Sequence, residues 1–254
     1  SIKEQTYQDF DIVIIDNASD DGVAAYVRET FSHATFIRNA RNLGFAAAHN
    51  QGIRFAIEHR ERDTLGDSFI CLINHDIILT PRYFESLMAA TSAHPEVGSF
   101  GGKLKRVFVE HIADEIFEEK VRSDLFDSTG LQGHRAQTVT DRGAGQMDTG
   151  QYDDQENIFG VSGALAVYRM QALEDIRFGN EYLDTDFFMY KEDVDLAWRL
   201  QTMGWDALYV PQAIAYHYRG LYGAQHQTLL ERLRHHRSKP VMRNFYSTRN
   251  HWLM

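Results

Sequence analysis

Two aspartates stand where apolar runs break. Phe10 to Ile15 runs into the turn-rich Asp16-Asn17-Ala18-Ser19-Asp20-Asp21-Gly22, and Phe69 to Ile73 breaks at Asn74-His75-Asp76. In open α/β sheets ligands bind beyond the carboxyl ends of the strands. If the two strands are parallel, Asp16 and Asp76 share that rim. Either one alone is only a turn former that bonds its own backbone. A third acidic group, Glu192, Asp193 and Asp195, opens a helical pattern, where carboxylates favour the positive end of the dipole. The dipole explains the acids but not the aromatics ahead of them, Phe187, Phe188 and Tyr190. His217 sits between Tyr216 and Tyr218, a setting that usually holds a packed, hydrogen-bonded imidazole.

The elements that must position these groups alternate between apolar runs and helical patterns, the signature of βαβ units and a largely parallel sheet. A helix is predicted over residues 1–7, a strand over 10–15, a helix to about Phe31 and a short strand over 35–37. Residues 46–58 form a helical pattern, and Pro81 suits the first position of a helix reaching Ala93. Residues 97–100 and 103–109 look like two strands around Gly101-Gly102. Periodicity is lost over about 110–157, a length of irregular chain that is usually functional or disordered. It returns over 158–168, in a helix from Glu192 to about Met203 and in a last strand over 206–210. The catalytic domain is therefore placed at 1–220, and a basic amphipathic helical tail at 221–254.

The chain has 254 residues and a formal net charge of −10, which argues against nucleic acid as a partner. From Glu231 onward the balance reverses: one acid stands against Arg232, Arg234, Arg237, Lys239, Arg243 and Arg249. Such a tail is compatible with peripheral docking at an anionic membrane surface, with packing on the domain the competing expectation. No window approaches the length of apolar chain needed to span a bilayer. No secretory leader is visible, so the expected location is the cytoplasm, at or near the inner face of the membrane. The single cysteine, Cys71, lies in an apolar run and is expected to be an inert thiol.

Four segments, taken in order, resemble glycosyltransferase family 2. Residues 13–22, Val13 to Gly22, are similar to its nucleotide-binding strand and turn. Asn42-Leu43-Gly44-Phe45-Ala46-Ala47-Ala48-His49-Asn50-Gln51-Gly52 is similar to its next motif, and Leu72-Ile73-Asn74-His75-Asp76 to its metal-binding strand end. Phe187 to Leu196, with Gly204-Trp205, resembles its catalytic segment. The bacterial rhamnosyltransferase-like branch is the nearest in flavour, through Gly160 to Arg169 and Arg142 to Tyr152 as well. The resemblance covers about residues 1–220. It implies an α/β fold of the GT-A type, a sheet flanked by helices. Family members normally begin with a strand ahead of the first helix seen here; it is absent, so the fold is expected to lack its first strand.

The resemblance also implies roles. An acceptor hydroxyl attacks the anomeric carbon and expels a nucleoside diphosphate, whose gathering charge calls for a divalent cation, Mn²⁺ or Mg²⁺. Asp76 is the implied ligand, with Asn74 where relatives carry another aspartate. His217 falls where some relatives place a metal-binding histidine. Asp193 is the implied general base and Glu192 the residue that orients the acceptor, giving inversion. Asp16 would face the base of a dTDP- or UDP-sugar, and Asn17, Arg41, Asn42, Gly44 and Asn50 belong to the same nucleotide side. The candidate reaction is transfer of a sugar, rhamnose among the candidates, to a polysaccharide or lipid-linked glycan. The rivals are a sugar-1-phosphate nucleotidyltransferase, which would want a Gly-rich phosphate loop, and a non-catalytic nucleotide-sugar or glycan-binding module.

Overall fold

The computed structural model describes residues 1–111, 118–135, 138–218 and 241–253. A small parallel unit comes first. β1 (Val13–Asp16) and β2 (Thr35–Arg38) pair in parallel and are joined by α1 (Val23–Thr30). The predicted N-terminal helix shrinks to a single 3₁₀ turn at Ile2–Glu4. It stops because Gln5 turns extended, and its buried carboxamide donates to Thr80 O and accepts from Phe84 N–H.

The main sheet has seven strands. Its order is β3 (Phe69–Ile73), β10 (Leu165–Arg169), β5 (Val97–His111), β11 (Asp206–His217) and β4 (Ile77–Leu79); β6 (Glu118–Ser128) extends from β5 and β9 (Asn157–Ile158) from β11. The β5–β11 pair is parallel, whereas β10 runs antiparallel to β3 and β5, and β4, β6 and β9 are antiparallel to their neighbours. The sheet is thus mixed, and the parallel pairings suggested by the alternating pattern are β1–β2 and β5–β11.

Alternation along the strands buries both faces. Ala166, Tyr168, Ala207 and Tyr209 point to one core with α2 (Phe45–Glu58), α4 (Met170–Asp175) and α5 (Glu192–Thr202). Leu165, Val167, Leu208 and Val210 point to the other with α3 (Tyr83–Ala93). Pro81 lies two residues ahead of α3 rather than at its first position. Cys71 belongs to the second core as a free thiol, pushed up to about 12 by desolvation.

Two strand predictions fail for one reason. β5 runs unbroken through Gly101-Gly102, and β11 continues past Val210 to His217. Their register jumps from Val210↔Gly102 to Ile214↔Lys103, so Pro211, Gln212 and Ala213 bulge from β11. A Cβ on Gly102 would sit 2.2 Å from Ala213 O, so glycine is what lets the bulge close on β5. The pair of glycines that reads as a break is a close approach, and beyond it β11 delivers His217 opposite Ile77 and Arg106.

Much of the stretch from 110 to 157 is ordered. β6 pairs with β5 as a hairpin, and β7 (Leu131–Gly133) pairs with β8 (Val139–Asp141). The buried Lys103 lies 3.2 Å from Asp148 and 2.8 Å from Asp153, tying the 148–153 turns to β5. Arg142, also buried, donates to Thr129 and to Gln155 O. The order comes from charge pairs and buried guanidinium bonds, which leave no hydrophobic period to read. Of the predicted tail, residues 219–240 lie outside those described. α6 (Val241–Leu253) follows them and packs on the segment ahead of α5.

Candidate active site

The end of β1 carries the first predicted group. Asp16 is buried, and its Oδ1 accepts the Ser19 N–H at 2.8 Å while Oδ2 lies 3.3 Å from Arg38 Nε. The Ser19 N–H bond, with Arg38 beside it, holds the Asp16 carboxyl below its ordinary range despite burial. Asn17 sits at the centre of a polar brace. Its Nδ2 donates to Asn42 Oδ1 and Gly44 O, and its Oδ1 accepts from Asn39 Nδ2 and Leu43 N–H. Asn39 and Gln51 exchange two bonds behind it. Arg41 is exposed at the surface.

Two nucleotide-side expectations change. Asn50 is buried, donates to Leu183 O and accepts from Tyr182 and Leu183 N–H. Its carboxamide is thus committed to holding residues 182–183 and presents no edge to a nucleotide. Gly44 is in the left-handed region at φ 89, as its type suggests, but the close approach it permits is to a side chain. A Cβ there would lie 2.5 Å from the Phe188 ring.

The turn after β3 carries the second group. Its backbone is closed by Asn74 N–H to Ala164 O and by Ile77 N–H to Asn74 O. Tyr218 N–H donates to Asp76 O, so the turn meets the end of β11. There His217 Nε2 stands 3.3 Å from Asp76 Oδ1, and its Nδ1 lies 2.7 Å from Oδ2 of the fully buried Asp127. Arg106 Nε is 3.5 Å from the other Asp127 oxygen, completing a line from strand end to strand end. Burial would lower the His217 pKa, but the two carboxylates outweigh it and raise it to about 9. Half-burial would raise Asp76, but His217 holds it below its ordinary value.

These residues fit a divalent cation. Asp76 Oδ1 is buried and, among the described residues, makes no hydrogen bond although it faces His217 Nε2. An oxygen and an imidazole nitrogen at that spacing suit neighbouring positions in a shell with bonds of about 2.1 Å. A histidine ligand commonly donates its other ring N–H to a carboxylate, the place Asp127 takes. No group of three or more His, Cys, Asp or Glu side chains converges as a metal site among the described residues. Most of a shell would therefore fall to ligand oxygens. Asn74 contributes the turn that carries Asp76.

The third group opens α5. Asp193 Oδ2 accepts the Gly163 N–H at 3.0 Å and Oδ1 the Val194 N–H at 2.9 Å. A Cβ at Gly163 would lie 3.2 Å from Asp193 Cβ, so the missing side chain lets the carboxylate approach the backbone ahead of β10. Glu192 is buried, and among the described residues its Oε2 has no hydrogen-bond partner. Burial, then the neighbouring Asp193, pushes Glu192 well above the carboxylate range; burial raises Asp193 as well, with Asp141 adding to it against the Gly163 N–H. Asp193 can accept a proton, and Glu192 can keep one.

Thus the structure brings Asp16, Asn17, Asn42 and Gly44 together on one side. It brings Asp76 and His217 together at 3.3 Å, and it places Glu192 and Asp193 side by side. Six residues of these sites escape sequence reasoning: Arg38, Asn39, Arg106, Asp127, Gly163 and Asn250, which contacts the turn ahead of α5. Gly163 alone carried a signal, as a glycine inside the 160–169 segment.

The model of the family described as glycosyl transferase family 2 matches residues 1–177. The N-acetylglucosaminyl-diphospho-decaprenol L-rhamnosyltransferase of Mycobacterium tuberculosis is 23% identical over 222 residues, covering 86% of this chain and 70% of that protein. GalNAc-T7, solved with UDP, GalNAc and Mn²⁺, aligns with 89% of this chain at a TM-score of 0.61 and 13% identity. TarS of S. aureus aligns with 85% at 0.54 and 14% identity. The chain spans 40% and 33% of those two structures, respectively, and the likeness is one of fold. With a family match over residues 1–177 and a GT-A frame that sets its acidic groups at strand ends and a helix start, the chain belongs to glycosyltransferase family 2.

Proposed function

We propose that this chain transfers a sugar from a nucleoside-diphosphate donor to a glycan hydroxyl, with inversion at the anomeric carbon and with a divalent cation. The observation that carries the proposal is the meeting of Asp76 and His217 at 3.3 Å, with the far nitrogen of the imidazole held by Asp127. Asp76 and His217 would hold the cation, Mn²⁺ or Mg²⁺. When bound, it supplies positive charge against the departing diphosphate.

Asp193 removes the acceptor proton as the hydroxyl oxygen bonds to the anomeric carbon. The bond from that carbon to the diphosphate breaks on the opposite face, and the proton remains on the Asp193 carboxyl. Glu192, kept protonated by its burial and its neighbour, orients the acceptor by a hydrogen bond. Asp16, kept ionised, accepts the imide N–H of uracil or thymine, and the Asn17–Asn42 brace shapes the loop beside it.

The finer reading is rhamnose from its dTDP donor, passed to a lipid-linked glycan. It is supported by the mycobacterial relative, an L-rhamnosyltransferase by name whose acceptor is a diphospho-decaprenol-linked sugar. A lipid-linked acceptor also suits α6, where Met242, Phe245, Trp252 and Leu253 are exposed and fall along one side of the helix. That side, with the bases after Glu231, would rest at the inner face of the membrane. No helix among the described residues is long and apolar enough to cross it.

The test is calorimetric titration of dTDP and UDP, with and without Mn²⁺, into this chain and its Asp76→Ala variant. Metal-dependent binding, lost in the variant, is the expected result and ranks the two bases. Binding indifferent to both metal and substitution would overturn the assignment.

A further inference from the structure

The backbone that leads into α5 is under strain. Phe188, Tyr190 and Lys191 have φ values of 60, 69 and 76, and none is glycine. Left-handed backbone in such residues costs on the order of 1–3 kcal/mol each and persists only where neighbours impose it. The imposing groups can be traced through the carbonyls of the turn, each of which needs a donor. Phe188 O accepts from Phe45 N–H and Ala46 N–H at the start of α2. Phe187, Met189 and Tyr190 O all face one side chain, the Nδ2 of Asn250 in α6, at 2.8, 2.8 and 2.7 Å. Asn250 is fully buried. Beside it in the chain Arg249 donates to Asp186 O and Phe187 O, and one turn earlier the Tyr246 ring stacks on Phe188 with centroids 4.8 Å apart. On the opposite flank, Lys191 Nζ donates to Val139 O of β8.

We infer that Asn250 is a positioning residue: through it, α6 fastens the strained turn that delivers Glu192 and Asp193, so the C-terminal helix is part of the catalytic architecture. The catalytic half of this inference rests on the role proposed above for that acidic pair. The mechanical half rests on the contacts alone. A helix that merely covered the domain would need shape and apolar area at this point. Instead it places a buried amide donor against three carbonyls, and the residues it holds end two positions before Glu192. The turn also seats Phe188 against Gly44, so α6, the catalytic pair and the nucleotide-side loop share one support.

The test uses the full chain with Asn250→Ala, Asn250→Asp and, as a control on the same helix, the exposed Asn244→Ala. Asn250→Asp keeps the shape but turns a carboxylate toward the three carbonyls. Hydrogen exchange of residues 186–193 should quicken about tenfold or more in both Asn250 variants, with β1 and β10 unchanged, and should match wild type in Asn244→Ala. Wild-type protection of the turn in Asn250→Asp would overturn the inference. For the catalytic half, dTDP release from dTDP-rhamnose is followed with a polyprenyl-diphosphate-linked N-acetylglucosamine acceptor. The kcat of the Asn250 variants should fall about 10–100-fold, as misplacement of a reacting group does, with donor KM within about twofold of wild type. An effect confined to KM would sink that half. A wild-type chain that turns over no nucleotide sugar would sink it too, along with the transfer reading, while exchange would still decide whether α6 holds the turn.

Discussion

The nucleotide side and the catalytic turn both depend on a carboxylate, and they prepare it in opposite ways. Asp16 accepts a backbone N–H three residues away and lies against Arg38, so its charge is stabilised where it stands. Its supporting cast, Asn17, Asn39, Asn42 and Gln51, comes from one short stretch of chain. Glu192 and Asp193 are instead raised by burial, with Asp193 adding to the rise of Glu192 and Asp141 to that of Asp193, and they are set by contacts from β8, α2, α6 and the segment ahead of β10. A carboxylate that binds is best kept ionised, whereas one that must take a proton works best when its pKa is lifted toward the working pH. The first needs only local chemistry. The second needs a dry site, and a dry site needs distant parts of the chain.

That contrast can be broken at its strongest point by Asp193→Asn. It keeps an oxygen for the Gly163 N–H but removes the base, so kcat should drop about 10²–10⁴-fold with donor KM nearly unchanged. If Glu192→Gln costs more than Asp193→Asn, the roles of the two acids are reversed. The next effect belongs to Asp127→Asn, which leaves Asp76 and His217 in place but loosens the imidazole. Metal-dependent dTDP or UDP binding should weaken about 10–100-fold, and unchanged binding would remove His217 from the cation site. Asp16→Asn should cost about tenfold in nucleotide affinity with little effect on kcat at saturating donor. A larger loss in kcat than in affinity would erase the distinction drawn here between a binding and a reacting carboxylate.

How much could be read from sequence follows the same divide. β1, α2, β3 and α5 were legible because apolar period and punctuation coincide, and Asp16, Asp76 and Asp193 stand at those punctuation marks. The Gly101-Gly102 pair misled because a glycine needed for close approach to Ala213 O looks the same as one that ends a strand. The region from 110 to 157 looked irregular because Lys103, Lys105, Asp124 and Asp148 do there what apolar residues do elsewhere. Asp127 was invisible for that reason. Asn250 was invisible because its three acceptors lie about 60 residues away, and no local pattern marks an amide that will be buried. Asn50 erred the other way: a polar residue in a nucleotide-side motif, yet one spent on Tyr182 and Leu183.

The smallest effect tests the dry side of the comparison without any substrate. Glu192 is buried, with one oxygen unpartnered among the described residues, so its charged form is disfavoured in the folded chain and its pKa is raised from the ordinary 4.5. Between that value and the raised one the folded state holds a proton that the unfolded state has released. Stability linked to Glu192 is therefore fully present below pH 4.5 and is lost as pH rises through the folded pKa. Glu192→Gln keeps the shape and cannot ionise. Urea unfolding should find the variant more stable than wild type at pH 8 by on the order of 2 kcal/mol, a pKa unit being about 1.4 kcal/mol. The gap should close toward pH 4.5. A gap that stays constant across this range would mean that the substitution acts through packing or hydrogen bonding, and that the Glu192 pocket is wet enough to hold the charge.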